Sequence, residues 1–293
     1  MANQPHLDGT NSIKNTLEIK DLCVDYLLDD SEFRAVNQVS FNIGKGEIFG
    51  LAGESGCGKS TIAFAISQLL RPPAFISGGQ ILLNGQDTLT MDKRTLAATR
   101  WSKVSMVFQS AMNSLNPVLT IEEQFRDMFY RHKGYSPQES AKRAGHLLEL
   151  VGISPDRLKD YPHQFSGGMR QRIVIAIGLA LNPDLLIMDE PTTALDVVVQ
   201  REILLQIHAL RKEFGFSVLF ITHDLSLMTQ LCDRIGVMLK GELVEVGLAK
   251  DILHNPQHAY TKKLWQSIPA AFDHQLKQQQ AIKQSNVVME ASV

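Results

Sequence analysis

The stretch that most limits the fold runs from Ile48 to Leu70. A short apolar run, Ile48 to Ala52, leads straight into Gly53, Glu54, Ser55, Gly56, Cys57, Gly58, Lys59, Ser60 and Thr61. The segment TIAFAISQLL then continues with a helical pattern until Pro72 and Pro73 stop it. Strand, glycine-rich turn and helix in this order predict an α/β unit, since a buried strand is covered by the helix that follows it. The glycines let successive backbone N–H groups point inward at one anion, Lys59 adds positive charge, and the Ser60 hydroxyl can ligate Mg²⁺. Gly53 through Thr61 therefore form a candidate cradle for the phosphates of a nucleotide.

The rest of the chain extends the α/β pattern. Leu17 to Leu28 and Ala35 to Ile43 alternate apolar with polar residues, predicting an antiparallel pair joined at Asp29, Asp30 and Ser31. Gln80 to Leu83 and Val104 to Phe108 read as strands, with Asp92 capping a short helix between them. From Thr120 to Val151 the pattern is helical, Ser136 serving as a cap, Pro137 as a first helical position and Gly152 as a stop. A helical insert over about residues 110–165 follows from this. Beyond it the expected order is a helix from Met169 to Leu181, a strand from Leu185 to Met188, a helix from Val197 to Glu213 and a strand from Ser217 to Ile221. A hairpin, Ile235 to Leu239 with Glu242 to Val246, and a short helix from His258 to Ile268 complete it.

Composition narrows the class of protein. With 293 residues, 44% of them hydrophobic, the chain can bury the core of one large domain, or of one domain plus a small appendage. A net charge of −2 gives no global pull toward nucleic acid or anionic membrane. Cys23, Cys57 and Cys232 lack metal-ligand spacing and point to a reducing compartment. The polar stretch MANQPHLDGTNSIKN predicts no secretory signal, and the longest apolar run, Ile173 to Leu181, falls far short of the ~20 residues that span a bilayer.

Five further groups carry chemistry. FSGGMRQR, Phe165 to Arg172, offers Ser166, Gly167 and Gly168 as an anion-binding turn at a helix start, far in sequence from the first loop. Together the two turns predict an ATP site shared between two subunits. Asp189 and Glu190 follow an apolar strand, where ligands meet the edge of an α/β sheet. Asp189 is suited to hold Mg²⁺ and Glu190 to take the proton of an attacking water. A second buried strand delivers His223 to the same edge, where an imidazole can bond the γ-phosphate. Gln109 offers an amide oxygen to Mg²⁺ or water, and Asp196 stands one turn of chain beyond Glu190, facing a second subunit.

Other features have plainer readings. Cys57 is a small loop residue, His254 and His258 are surface histidines separated by Pro256, and Met106, Met112, Met128, Met169 and Met188 fill core or contact positions.

In order and spacing, these strings resemble the ATP-binding subunit of an ABC transporter over about residues 17–270. GESGCGKST matches its Walker A motif, Gln109 its Q-loop, FSGGMRQR its signature, LLIMDE its Walker B motif, ALD its D-loop and His223 its switch histidine. The resemblance implies a P-loop NTPase of ABC type, with a RecA-like parallel-sheet core, an antiparallel β-subdomain and an α-helical subdomain. It also makes Tyr26 the candidate to stack on adenine, ahead of Phe33. SLNPVLTI (Ser114 to Ile121) and NPQHAYTKKLWQSIP (Asn255 to Pro269) resemble the oligopeptide, dipeptide and nickel importers, although Ala259 replaces a proline usual there.

That resemblance implies ATP and Mg²⁺ as ligands and import of an oligopeptide or dipeptide, with oligosaccharide or nickel as alternatives. Export, or a soluble ABC ATPase acting on nucleic acid, are the rival readings. Met169, where most relatives carry Gln, resembles one of two unlike ATPase subunits and implies a heterodimer. The expected partners are two transmembrane permeases, contacted by the insert, and an extracytoplasmic solute-binding protein. Nucleic acid is not an expected partner. The location is the cytoplasmic face of the inner membrane, held peripherally. No cysteine follows Cys232, so the iron–sulfur cluster of some relatives is not expected. The domain reading is a flexible stretch over 1–16, an ATP-binding domain over 17–270 with an importer-type extension over 248–270, and a disordered tail over 271–293.

Overall fold

Consecutive apolar residues in the central strands face two different cores, and this layers the molecule. The computed structural model describes residues 15–28, 31–108, 114–192 and 195–266. It opens with a long antiparallel pair, β1 (Asn15–Leu28) and β2 (Ser31–Gly44), followed by β3 (Ile48–Ala52) and α1 (Lys59–Ile66). Next come β4 (Ala74–Leu83), β5 (Gln86–Asp87), α2 (Lys93–Thr99) and β6 (Val104–Val107). The helical segment holds α3 (Ile121–Lys133) and α4 (Pro137–Leu150), then two 3₁₀ turns, Pro155–Lys159 and Pro162–Gln164. The chain continues through α5 (Gly167–Leu179), β7 (Leu185–Asp189), α6 (Val197–Phe214), β8 (Ser217–Ile221) and α7 (Leu225–Leu231). It closes with β9 (Arg234–Leu239), β10 (Glu242–Leu248), α8 (Ala249–His254) and α9 (Ala259–Gln266).

Two sheets result. One is antiparallel, in the order β2-β1-β4-β5; the other has six strands in the order β10-β9-β3-β8-β7-β6, all parallel except β10 against β9. Because side chains alternate along a strand, Phe49 and Leu51 join Leu219, Ile221, Leu185 and Ile187 in a core shared with α1 and the antiparallel sheet. Their neighbours Ile48, Val218, Phe220, Leu186 and Met188 join the opposite core with Phe125, Phe129, Leu147 and Ile173 of the helices. Strands buried on both faces are apolar throughout, as their sequences read. Among the described residues, no helix is long and apolar enough to cross a membrane.

The helical insert contains no strand among its described residues; α4 starts at the expected cap, Ser136, and α3 starts at Thr120, which the sequence reading does not single out as a cap. Thr120 and Ser136 each accept from the N–H three residues on, while Glu123 and Glu139 reach back to the caps. These donors hold both glutamates below the usual carboxylate range.

Several boundaries depart from the sequence reading. α1 ends at Ile66 instead of Leu70, because the Ser67 hydroxyl turns back to the Ala63 carbonyl and Gln68 takes a left-handed conformation, ahead of either proline. β4 begins at Ala74, not Gln80, since pairing with β1 from Tyr26↔Ala74 onward carries a stretch with little strand pattern of its own. α5 starts two residues early, at Gly167, and ends at Leu179. The short helices α7 and α8 were not foreseen. The turn at Asp29 and Asp30, and the tail beyond residue 266, lie outside the described residues.

Candidate active site

A single line across the parallel sheet assembles the site. Ile221 at the end of β8 is in register with both Leu51 of β3 and Asp189 of β7. Gly53, Glu190 and His223 all follow within two residues of that line, so three separate turns leave the same edge of the sheet.

The loop after β3 holds its own cation inward. Lys59 is 6% exposed, and its Nζ donates to the carbonyls of Gly53 and Glu54, both at 2.8 Å, and to Cys57 Sγ at 3.5 Å. Gly58 begins α1 at φ 104°, with no side-chain cap on the helix N-terminus, so those N–H groups face an incoming anion. A Cβ at Gly58 would stand 2.6 Å from the Ala35 carbonyl, so only glycine fits between the loop and β2. Glu54, Ser55 and Gly56 form the exposed crest, and Cys57 is buried beneath it.

Asp189 sits 4% exposed at the end of β7 and accepts from Ser60 Oγ at 3.1 Å. Desolvation pushes its carboxyl up; the Ser60 hydroxyl pulls it down, the Glu190 charge adds to the rise, and Lys59 opposes it. Glu190 takes a left-handed backbone conformation, φ 47°, pinned by its N–H donating to the Ile221 carbonyl at 2.8 Å. A glutamate rarely adopts that conformation, and such positions cluster at functional sites. His223 Nδ1 lies 3.5 Å from Glu190 Oε1, with the imidazole 62% exposed and the carboxylate 21%. The edge thus pairs a buried acid beside a hydroxyl with a reachable acid beside an imidazole.

The remaining expected residues fall into place differently. Tyr26 of β1 places its hydroxyl 3.4 Å from Thr61 Oγ1, and its ring is 6.5 Å from that of Phe33, which is 54% exposed. Ser166 caps α5, accepting from the Met169 N–H at 3.3 Å, and stands exposed, with Gly167 and Gly168 half-buried behind it at the helix start. Asp196 likewise caps α6 by accepting from the Val199 N–H at 3.0 Å. A Cβ on Gly168 would come 2.6 Å from Val199 Cγ1, so the two helix starts pack against each other. The turn before α5 is braced by Arg157, which lies 4.1 Å over the Phe165 ring, pairs with Asp160 and donates to the Gln164 carbonyl. Gln109 lies outside the described residues.

One residue was not anticipated. Tyr260 of α9 accepts at its hydroxyl from the Glu54 N–H at 3.2 Å, joining positions 206 residues apart. Nothing local to either residue signals such a contact.

Among the described residues, no group of three or more His, Cys, Asp or Glu could hold a metal. Mg²⁺ takes one or two protein oxygens and its other ligands from phosphate and water. The buried Asp189 carboxylate beside the Ser60 hydroxyl is a hard-oxygen pair of that kind.

Comparison with known proteins identifies the family and the fold. The family described as ABC transporter matches residues 36–193, and that described as oligopeptide/dipeptide transporter, C-terminal region, matches residues 244–291. The chain is 42% identical to the oligopeptide transport ATP-binding protein OppD of Bacillus subtilis, over 88% of this chain and 73% of that one. It is 44% identical to the dipeptide transport ATP-binding protein DppD of the same organism, over 88% and 78%. The dimeric ATP-binding cassette MJ0796, solved in a post-hydrolysis state bound to ADP and Pi, superposes with a TM-score of 0.70 at 30% identity, covering 80% of this chain and 98% of that one.

Proposed function

Because the chain belongs to the ABC transporter ATP-binding family, we propose that it is the ATP-hydrolysing subunit of a peptide importer, acting at the cytoplasmic face of the inner membrane. The observation that carries this is the convergence of Lys59, Ser60, Asp189, Glu190 and His223 on one sheet edge, at the mouth of an uncapped helix N-terminus. The relatives' peptide-transport names favour peptide as cargo over oligosaccharide or nickel.

In this reading the N–H groups of Gly56 to Thr61 and the Lys59 ammonium bind the β- and γ-phosphates, leaving Lys59 to exchange its carbonyl partners for phosphate oxygens. Tyr26 lies under the adenine. Ser60, Asp189 and Gln109 hold Mg²⁺, which neutralises charge on the phosphates when bound. Water attacks the γ-phosphorus as the bond to the ADP oxygen breaks, and Glu190 takes the water's proton, giving ADP and phosphate. His223 orients the γ-phosphate and lies close enough to Glu190 to hold the carboxylate in place.

The turn at Ser166, Gly167 and Gly168 covers the nucleotide of an unlike second ATPase subunit, whose equivalent turn covers the one bound here. Asp196 meets that subunit beside it. Residues 17–270 form the motor. The helical segment over 110–165 docks on two permeases fed by an external solute-binding protein, and 248–270 form the importer-type extension. The test is reconstitution with the partner ATPase and permeases in vesicles, following labelled di- and oligopeptides. ATP-dependent peptide uptake is expected. Uptake of nickel or oligosaccharide alone overturns the cargo, and a complex without ATP turnover overturns the motor.

A further inference from the structure

A single peptide unit in the phosphate loop is held at both ends. The carbonyl of Gly53 and the N–H of Glu54 belong to the same peptide plane. Lys59 Nζ donates to that carbonyl at 2.8 Å, while the N–H donates to the Tyr260 hydroxyl at 3.2 Å. A peptide plane anchored on one side can still rotate about its flanking bonds; anchored on both sides, it cannot without breaking a hydrogen bond.

The hydroxyl that closes this clamp is itself fixed from the sheet. Glu245 on β10 accepts from the N–H of Gln257 at 2.7 Å and of His258 at 3.0 Å, and His258 Nδ1 accepts from the Tyr260 N–H at 3.2 Å. Further along α9, the Trp265 indole donates to the Ile252 carbonyl in α8, and Trp265 is buried. Glu245, His258 and Tyr260 thus form a chain of hydrogen bonds from the far edge of the parallel sheet to the crest of the phosphate loop. Burial raises the Tyr260 phenol above its ordinary range, opposed by the Glu54 N–H, so the hydroxyl stays protonated at neutral pH.

We propose that Tyr260 is a positioning residue for ATP binding, and that through it the segment 257–266 sets how readily the phosphate loop accepts nucleotide. Tyr260 acts on the nucleotide through the Gly53–Glu54 peptide. When phosphate draws Lys59 away from the Gly53 carbonyl, the Tyr260 bond remains to keep that peptide from turning its carbonyl toward the anion. A change at the C-terminal segment, whether displacement of α9 or loss of the Glu245 anchor, therefore reaches ATP affinity without touching the catalytic edge. The inference rests on the nucleotide-site reading above.

The test uses the full chain and Tyr260→Phe, which keeps the ring and removes only the hydroxyl. One net hydrogen bond predicts an affinity for MgATP weakened about 3- to 10-fold, with thermal stability close to that of the parent. In hydrogen exchange, the amide of Glu54 should lose protection while those of β3 keep theirs. Glu245→Gln should weaken MgATP binding as well, and adding it to Tyr260→Phe should produce no further loss, because both act through one contact. Lys59→Ala serves as the control. If Lys59→Ala loses MgATP while Tyr260→Phe binds like the parent with Glu54 still protected, the positioning role is overturned and the nucleotide site stands. If Lys59→Ala also binds MgATP like the parent, the nucleotide site itself is misplaced. Equal, additive losses from Glu245→Gln and Tyr260→Phe would show two independent structural effects and overturn the relay.

Discussion

The two glycine-bearing turns are both starts of helices, yet they are built in opposite ways. At the phosphate loop, α1 begins on a left-handed glycine with no side chain capping it, and a buried lysine lies folded back on the loop's own carbonyls. At Ser166, the serine hydroxyl caps its own helix, the neighbouring Arg157 is already engaged with Phe165, Asp160 and Gln164, and Ser166 itself stands exposed. The first has free N–H groups, an internal cation and a neighbouring acid edge. The second has an N-terminus capped by its own serine and braced from behind by Arg157. The difference is what separates the two proposed roles: the first turn would bind phosphates within its own chain, and the second would complete a site begun on another.

Removing the cation tests the stronger half first. Lys59→Ala is expected to lower ATP turnover by about 10³-fold or more, since a preorganised charge in a water-poor site contributes most to stabilising the reacting phosphate. Near-normal turnover would erase the contrast between the turns. Glu190→Gln should reduce turnover about 10²-fold while leaving MgATP bound, and should hold the chain together with its partner ATPase in a complex stable to gel filtration. Unchanged turnover would move the proton acceptor elsewhere.

The second turn should respond only in company. Ser166→Ala removes a helix cap worth about 1 kcal/mol and is expected to leave MgATP binding by the isolated chain unchanged. The assembled pair should lose roughly 10-fold in turnover, the loss expected of a donor that acts from across the interface. An equal loss of binding by the isolated chain would mean that the two turns are not divided between subunits.

The smallest effect concerns stability. Burial raises the Asp189 carboxyl, so the fold favours its protonated form: the stability this gives is present at low pH and lost as pH rises through the raised value. Without nucleotide, Asp189→Asn should therefore melt at a higher temperature than the parent at neutral pH. The difference should close as pH falls below the ordinary carboxylate range. Thermal unfolding at a series of pH values reads it directly, and a lower melting temperature at neutral pH would show that the carboxylate is not penalised in the fold.

Much of this was legible in the chain because it is written locally. Gly53 to Thr61 carries its own turn geometry, the capping boxes at Thr120 and Ser136 lie within four residues, and the doubly buried strands announce themselves as unbroken apolar runs. Where local signals were thin, the reading slipped. Ala74 to Gly79 has no strand pattern and becomes strand only through β1, and α1 stops at a left-handed Gln68 that no helix propensity marks.

The sequence by itself determined which chemical groups exist and which turns present them, because glycine spacing, caps and period-2 burial act over a few residues. Only the tertiary structure decided that Leu51, Ile221 and Asp189 share one line, that Glu190 meets His223, and that Tyr260 reaches Glu54. Those meetings depend on strand order and register, which are set by hydrogen bonds and packing between segments scores of residues apart, and no local pattern records them.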